Sequence, residues 1–426
     1  MLPPYIDIRL AEKILFIGKS IKVLQQSTQH DQSGSSQAIT QQELLEFSNA
    51  ISAHEKEQKF HVISFELVIN RIRSVVSKHL WDLVVVDSNL FGQLAAFKDY
   101  FLLSRGDLYQ CFIEDTQSIM SLLPLQNAEH DIKFYFKQAA KRSGAESDPF
   151  FEKFHVKFEN NKNVSAQNQQ QSWSNTLELW TENLKLTCNV DWPLHLMFGS
   201  SVVEKYDKLF KFLFTIKRVQ SQVHRAWLPL VQRKRSLGRE TTALLHLRSR
   251  MAFLIDNLCF YLHADVIEVQ YEVLMERIKS TRDFEVALRS HEDYLQKIAA
   301  QCFLNKKQIN VLYKLFDMIL KLCYIVDSEY SSFEGALKLH VFDEDKSTNL
   351  YMKVQELAAL FDAQSSLLFQ ILSGQKVLSP HLAQLLVRLD YNKFYSINMR
   401  EQGFKGPDIT MEGDSSFTNT MIVKHP

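Results

Sequence analysis

The sequence predicts an all-α fold made of two elongated helical bundles, with a small β-hairpin near the start of the second. Three observations carry that expectation. Glycine (12) and proline (9) are scarce in a chain of 426 residues that is 46% apolar, a composition that favours long helices with few turns. Apolar side chains recur at helical spacing over most of the length. Period-two alternation is confined to two short stretches between Asp148 and Trp192.

Taken in order, residues 5–28 place Ile8, Ala11, Ile14, Leu15, Ile17, Ile21 and Leu24 on helical spacing and then pass into HDQSGSSQAITQQ, which has loop composition. From Gln42 to Leu125 the helical period returns in blocks, among them Phe65, Val68, Ile69, Ile72, Val75 and Val76, and predicts four or five helices. In the segment Phe97 to Met120 the helical pattern is interrupted at Ser104-Arg105-Gly106. Phe154, Val156 and Phe158 alternate with polar residues, as do Leu184, Leu186, Cys188, Val190 and Trp192, which predicts two strands joined by an Asn/Gln/Ser-rich flexible loop over 159–175. Leu194 to Phe394 reads helical again, with breaks near Arg235–Arg239, Thr281–Asp283, Phe342–Thr348 and Ser373–Gln375. Residues 397–426 contain Gly, Pro and Ser with little periodicity and are expected to be disordered.

Composition and motifs also limit function. Lys plus Arg equals Asp plus Glu at 49 each, so the whole chain offers no field that would favour nucleic acid or an anionic membrane. Five cysteines without a C-x-x-C pair suit reduced thiols and a cytoplasmic setting, and no stretch approaches the roughly 18 continuous apolar residues of a membrane span. Phosphate loops, dinucleotide fingerprints, nucleophile elbows and H-E-x-x-H are all absent, and Ser373-Gly374-Gln375-Lys376 matches S-x-x-K without any partner motif. The expectation is therefore a protein that is not an enzyme and needs no cofactor. Cys259 and His263 stand one helical turn apart but supply only two metal ligands. The basic run Gln232–Arg235 with Arg239 reads either as a solvated helix end or as a contact with an acidic protein surface. Phe210, Phe212, Phe214 and Phe369 read as core packing.

The helix expected from His246 to about Val266 stands out. Met251, Ile255, Leu258, Leu262 and Val266 fall on one side at helical pitch and Phe253, Phe260 and Ala264 on another, which predicts a central, largely buried helix. The strip between them, Arg250, Leu254, Asn257, Tyr261 and Asp265, suits hydrogen bonding to neighbouring helices or a docking face rich in the Arg and Tyr that anchor interfaces.

The interrupted segment matches a family pattern at Leu102, Leu103, Arg105, Gly106, Asp107, Leu108, Tyr109 and Gln110. Trp192-Pro193-Leu194, Glu204-Lys205-Tyr206 with Phe210–Leu213, Met251–Leu258 and Arg388-Leu389-Asp390-Tyr391-Asn392-Lys393 follow in the same order. On these residues, covering most of Leu2 to Tyr395, the chain resembles the gamma-tubulin complex proteins. The resemblance implies a remnant of an N-terminal lateral-contact bundle over 1–120, a gamma-tubulin-binding bundle over 121–396 and a tail over 397–426. It implies gamma-tubulin and other family members, lying side by side, as partners. The function implied is positioning gamma-tubulin in a ring that templates microtubule nucleation at the centrosome, spindle pole or other organising centre. The docking surface expected from it is Arg248, Arg250, Asn257, Tyr261, Asp265, Asp283 and Phe284. Family members usually carry a long helical region ahead of the segment that looks like Leu2–Lys13, so a shortened bundle with exposed apolar faces and poor solubility is expected. The alternative is a generic helical scaffold or tethering subunit, which would share the composition but has no reason to carry these motifs together.

Overall fold

The computed structural model describes residues 7–30, 39–55, 61–124, 127–159, 179–233, 239–304, 306–339, 344–375 and 381–401. Most of the expected loop 159–175, the core of the basic run, Lys376 and all of the tail after Glu401 lie outside them.

Helices α1 (Ile8–His30), α2 (Gln41–Glu55) and α3 (Val62–Trp81) form a first layer. In α1 the buried residues Leu10, Ile17 and Leu24 recur every seven positions, so one narrow seam faces α3, which returns Ile69, Ile72 and Val76. A capping box starts α2. The Thr40 amide donates to the Glu43 carboxylate at 2.9 Å while the Glu43 amide donates to the Thr40 hydroxyl at 3.3 Å. Ile8, Leu15, Leu45, Ile63 and Leu67 of these three helices are exposed.

Beyond α3 a π-helical turn, Asp82–Asp87, leads to Asn89, whose left-handed backbone (φ 51°) and side chain cap α4 (Leu90–Phe101). The interruption expected at Ser104–Gly106 separates α4 from α5 (Gly106–Met120). Both helices pack aromatic rings against the hairpin and the helices that follow it, within one buried cluster. Phe97 stacks on Phe198 at 4.3 Å, Tyr100 on Phe154 at 4.3 Å, and Phe112 lies 5.7 Å from Phe214.

Helix α6 (Ala128–Ser143) leads to the hairpin, in which β1 (Phe154–Phe158) pairs antiparallel with β2 (Leu184–Cys188), Phe154 opposite Cys188. The strands bury Phe154, Val156 and Phe158 on one face. Asp207 accepts the Leu186 amide at 2.9 Å and so ties β2 to the following helix.

The second bundle comprises α7 (Ser200–Arg225), α8 (Trp227–Arg233), α9 (Arg239–Phe260), α10 (Val269–Ser280), α11 (Phe284–Gln301), α12 (Lys306–Leu339), α13 (Glu344–Gln375), α14 (Leu382–Leu389) and α15 (Phe394–Glu401), with a second π-helical turn, Tyr261–Glu268, between α9 and α10. Phe210, Phe212, Phe214 and Phe369 are buried, as expected of core aromatics. Tyr206 and His291 meet inside it, hydroxyl and Nε2 2.9 Å apart, and burial pushes His291 down to about 3.

The break expected near Ser373–Gln375 falls at the end of α13, whose span closes at Gln375. Two expectations need correction. A break the pattern does not show falls at Cys302–Leu304, where Phe303 adopts φ 58° while its ring stays buried, so apolar periodicity passes through it unbroken. Residues 397–401 are helical, since Asp390 accepts the Tyr395 amide at 2.8 Å and Tyr395 stacks on Phe369 at 5.1 Å, which fixes the start of α15.

Candidate protein-interaction site

The junction turn places two faces of the second bundle. Leu103 closes α4 in the left-handed region (φ 58°), and the Ser104 amide folds back to the Lys98 carbonyl at 3.4 Å. Arg105 then reaches Asp148 at 2.7 Å and the Tyr100 hydroxyl at 3.3 Å, while Tyr100 donates to the same carboxylate at 2.9 Å. Leu102, Leu103, Leu108 and Tyr109 are buried, with the Tyr109 hydroxyl donating to the Tyr100 carbonyl. Asp107 lies exposed in the first turn of α5, where the helix dipole favours a carboxylate, and Gln110 bonds Glu114 on the surface at 2.9 Å. The motif is thus a structural corner. A glycine is not sterically demanded at Gly106, where an added Cβ would meet nothing within 4 Å.

Along α9 one side is buried through Leu244, Leu247, Met251, Leu254, Ile255 and Leu258. The second apolar side is not, contrary to the expectation of a helix buried on both. Phe253 is partly exposed and Phe260 is 55% exposed, because α14 covers only part of that surface. The Phe253 ring meets Tyr391, itself 72% exposed, at 5.6 Å. The Arg388 guanidinium lies 4.5 Å over Phe260 and forms an ion pair with Asp265. Phe253, Phe260, Val387, Tyr391, Phe394 and Ile397 all expose apolar surface on α9, α14, α15 and the turn between the last two.

The residues expected to dock separate into four places. Arg250, Asn257 and Asp265 lie half-buried along this aromatic face, Arg250 paired with Asp362 and Asn257 donating to the Phe253 carbonyl at 2.8 Å. Arg248 points instead to the α7–α8 corner, donating to the Val223 carbonyl at 2.9 Å and standing 5.1 Å over the Trp227 ring. Tyr261 is 0% exposed. Its ring stacks on Phe303 at 5.4 Å, and its hydroxyl reaches the Gln301 carbonyl at 3.3 Å, because the chain turning at 301–304 covers the start of the π-helical turn.

Asp283 and Phe284 sit at another corner, against α3. The Ser77 hydroxyl donates to Asp283 at 2.6 Å and accepts the Phe284 amide at 3.0 Å. Asp283 also caps α11 by accepting the Glu285 amide at 2.9 Å, and Arg73 bridges Glu285 at 2.6 Å. Phe284, 2% exposed, fills the core beneath. This corner joins the two helical layers.

Beside Phe260, between the junction turn, α7 and the π-helical turn, opens a groove of about 550 Å³. Ser104, Lys217, Asp256, His263 and Glu268 line it, together with Cys259. Burial pushes the Cys259 thiol up to about 12 and His263 down to about 4, so both are neutral near pH 7. Among the described residues no group of three His, Cys, Asp or Glu side chains could hold a metal ion. No described helix is long and apolar enough to cross a membrane.

Comparison with known proteins decides the family. The model of the gamma tubulin complex component C-terminal region matches residues 90–395, and that of the gamma tubulin complex component N-terminal region matches residues 1–86. The chain belongs to the gamma-tubulin complex component family. It is 37% identical over 410 residues to gamma-tubulin complex component 4 of Homo sapiens, covering 93% of this chain and 59% of that protein. Component 4 of Arabidopsis thaliana is 31% identical over 470 residues, 94% of this chain and 61% of that protein. The component 2 homolog of Drosophila melanogaster is 24% identical over 349 residues. The chain thus spans about three fifths of the length of the component 4 relatives it matches. The two family models meet between residues 86 and 90, at the end of the first π-helical turn, whereas the resemblance implies a division after residue 120.

Nothing in the periodicity separates Phe253 and Phe260 from core aromatics. What could have marked them is their partner, the Arg388–Lys393 motif. There Leu389 is buried, Asp390 caps α15 and Lys393 turns at φ 58°, so Tyr391 is left projecting.

Proposed function

We propose that this chain is a gamma-tubulin complex subunit that binds gamma-tubulin on the aromatic face of α9, α14 and α15. Phe253, Phe260, Val387 and Tyr391 are the apolar anchors, and Arg250, Asn257 and Asp265 give the polar edge. One observation carries the reading. Two separate family motifs, Met251–Leu258 and Arg388–Lys393, converge to build an exposed aromatic cluster backed by fixed ion pairs, an arrangement that core packing does not require. The exposed apolar residues of α1–α3 then serve contact with other family members side by side. Mechanistically the contribution is positional. A subunit that holds one gamma-tubulin beside the next reduces the entropy lost in forming a microtubule nucleus, so the work is done by geometry at an organising centre and not by a reaction.

The test is a binding measurement on the full chain with purified gamma-tubulin, alpha/beta-tubulin serving as the control. Selective one-to-one binding that falls at least tenfold in the Phe253→Ala/Tyr391→Ala double variant supports the reading. Binding that survives the double substitution places the site elsewhere. No binding by a folded chain favours a helical scaffold or tether.

A further inference from the structure

The groove beside Phe260 is continuous with the proposed docking face, since Phe260 belongs to both. Its charges are not equally committed. Glu268 is held by the Lys98 ammonium at 2.8 Å. Asp256 accepts from Gln220 at 2.7 Å and stands 2.9 Å from His224 Nε2. Lys217, by contrast, makes one hydrogen bond, to the neutral Gln220 side chain at 3.2 Å, and has no carboxylate within ion-pair distance among the described residues. Two of its three N–H donors are therefore free on the groove wall. Ser104, exposed at the junction turn, adds a hydroxyl, and the neutral His263 imidazole adds a ring that can donate without repelling a cation beside it. Both carboxylates in the groove already accept hydrogen bonds while Lys217 keeps two of its donors unused, so the unfilled capacity is for an oxyanion.

We propose that an acidic side chain of the docked protein partner enters this groove and places its carboxylate on the Lys217 ammonium, beside Ser104 and His263. The inference rests on the reading that a protein docks on the adjacent aromatic face. It adds the chemistry of the contact: an apolar patch seated on Phe253, Phe260 and Tyr391, with an Asp or Glu projecting into the adjoining groove. A partner without that carboxylate would leave Lys217 desolvated and unpaired, so the pocket selects among partners that fit the aromatic face equally well.

The experiment compares the full-length wild type with Lys217→Arg, Lys217→Gln, Lys217→Glu and Tyr391→Ala for gamma-tubulin affinity over a range of salt, with thermal unfolding confirming that each is folded. The expected result is an order, with Arg within about twofold of wild type, Gln weaker by about tenfold and Glu weaker still. The salt dependence of binding flattens in Lys217→Gln and stays unchanged in Tyr391→Ala, which loses only apolar contact. Wild-type binding that survives Lys217→Glu overturns the inference and leaves the docking reading intact. Absence of wild-type binding overturns both.

Discussion

Ser77→Ala tests how the two helical layers are held. The Ser77 hydroxyl is 1% exposed as a residue, donates to Asp283 at 2.6 Å and accepts the Phe284 amide at 3.0 Å. Removing it strips one charge-assisted hydrogen bond from the Asp283 carboxylate, worth about 1.5–3 kcal/mol, and leaves the buried Phe284 N–H without its partner, a cost of about 1–3 kcal/mol. The two losses share one oxygen and Asp283 keeps the Glu285 amide, so they do not add fully, and about 3 kcal/mol is expected. Urea unfolding measures the loss, and hydrogen exchange locates it. The amides of Phe284 and Glu285, with the facing turn of α3, should exchange at least tenfold faster while β1 and β2 stay protected. Ser280→Ala, which removes an exposed hydroxyl bonded only to the Arg277 carbonyl, serves as control and should change stability by less than about 0.5 kcal/mol. If Ser77→Ala behaves like that control, the Ser77–Asp283 contact does not join the layers and the reasoning fails.

Two further predictions concern the core and the junction. Burial takes His291 from 6.5 down to about 3 and His263 down to about 4, so as pH falls below about 6.5 the unfolded chain binds these protons before the folded one does. Stability then declines with falling pH, His291 alone contributing roughly 1.4 kcal/mol per unit below about 6, and denaturant midpoints of His291→Gln should fall less steeply over pH 6 to 4. Parallel slopes for the two proteins would refute the assignment. At the junction, Gly106 opens α5 without a positive φ and with space for a Cβ, so Gly106→Ala should raise stability by about 0.5 kcal/mol. A loss of 1 kcal/mol or more in thermal unfolding would mean that the turn needs a glycine after all.

How far the sequence could be read depended on the kind of signal. The alternation at Phe154–Phe158 and Leu184–Cys188 marked both strands, because a strand buried on one face must alternate. The interruption before Gly106 marked the α4–α5 corner, yet the residue that turns there is Leu103, whose side chain is apolar and buried like its neighbours. The same holds for Phe303, which breaks the chain between α11 and α12 unannounced. Left-handed backbone at an ordinary apolar residue leaves no trace in a hydropathy pattern.

The candidate site was less legible for a related reason. Helical pitch put Arg250, Asn257, Tyr261 and Asp265 on one strip, and in α9 it did so correctly for Arg250 and Asn257. What covers that strip is set by α14 and by the 301–304 turn, forty and more residues away, so Tyr261 went inside while Phe253 and Phe260 stayed out. The break expected near Thr281–Asp283 marks a turn ahead of Phe284, but only the arrival of α3, some two hundred residues earlier in the chain, makes that turn a joint between layers.

By itself the sequence determined the local order of this protein: which segments are helical, where the hairpin lies, and the motif set that marks the family. Those depend on spacing and backbone preference within a few turns of chain. Only the tertiary structure decided which side of α9 meets solvent, which polar residues are spent on internal ion pairs, and that Lys217 is left facing a groove. Exposure is a property of what lands on a surface, and the elements that land here come from distant parts of the chain, brought together by burial of a shared core.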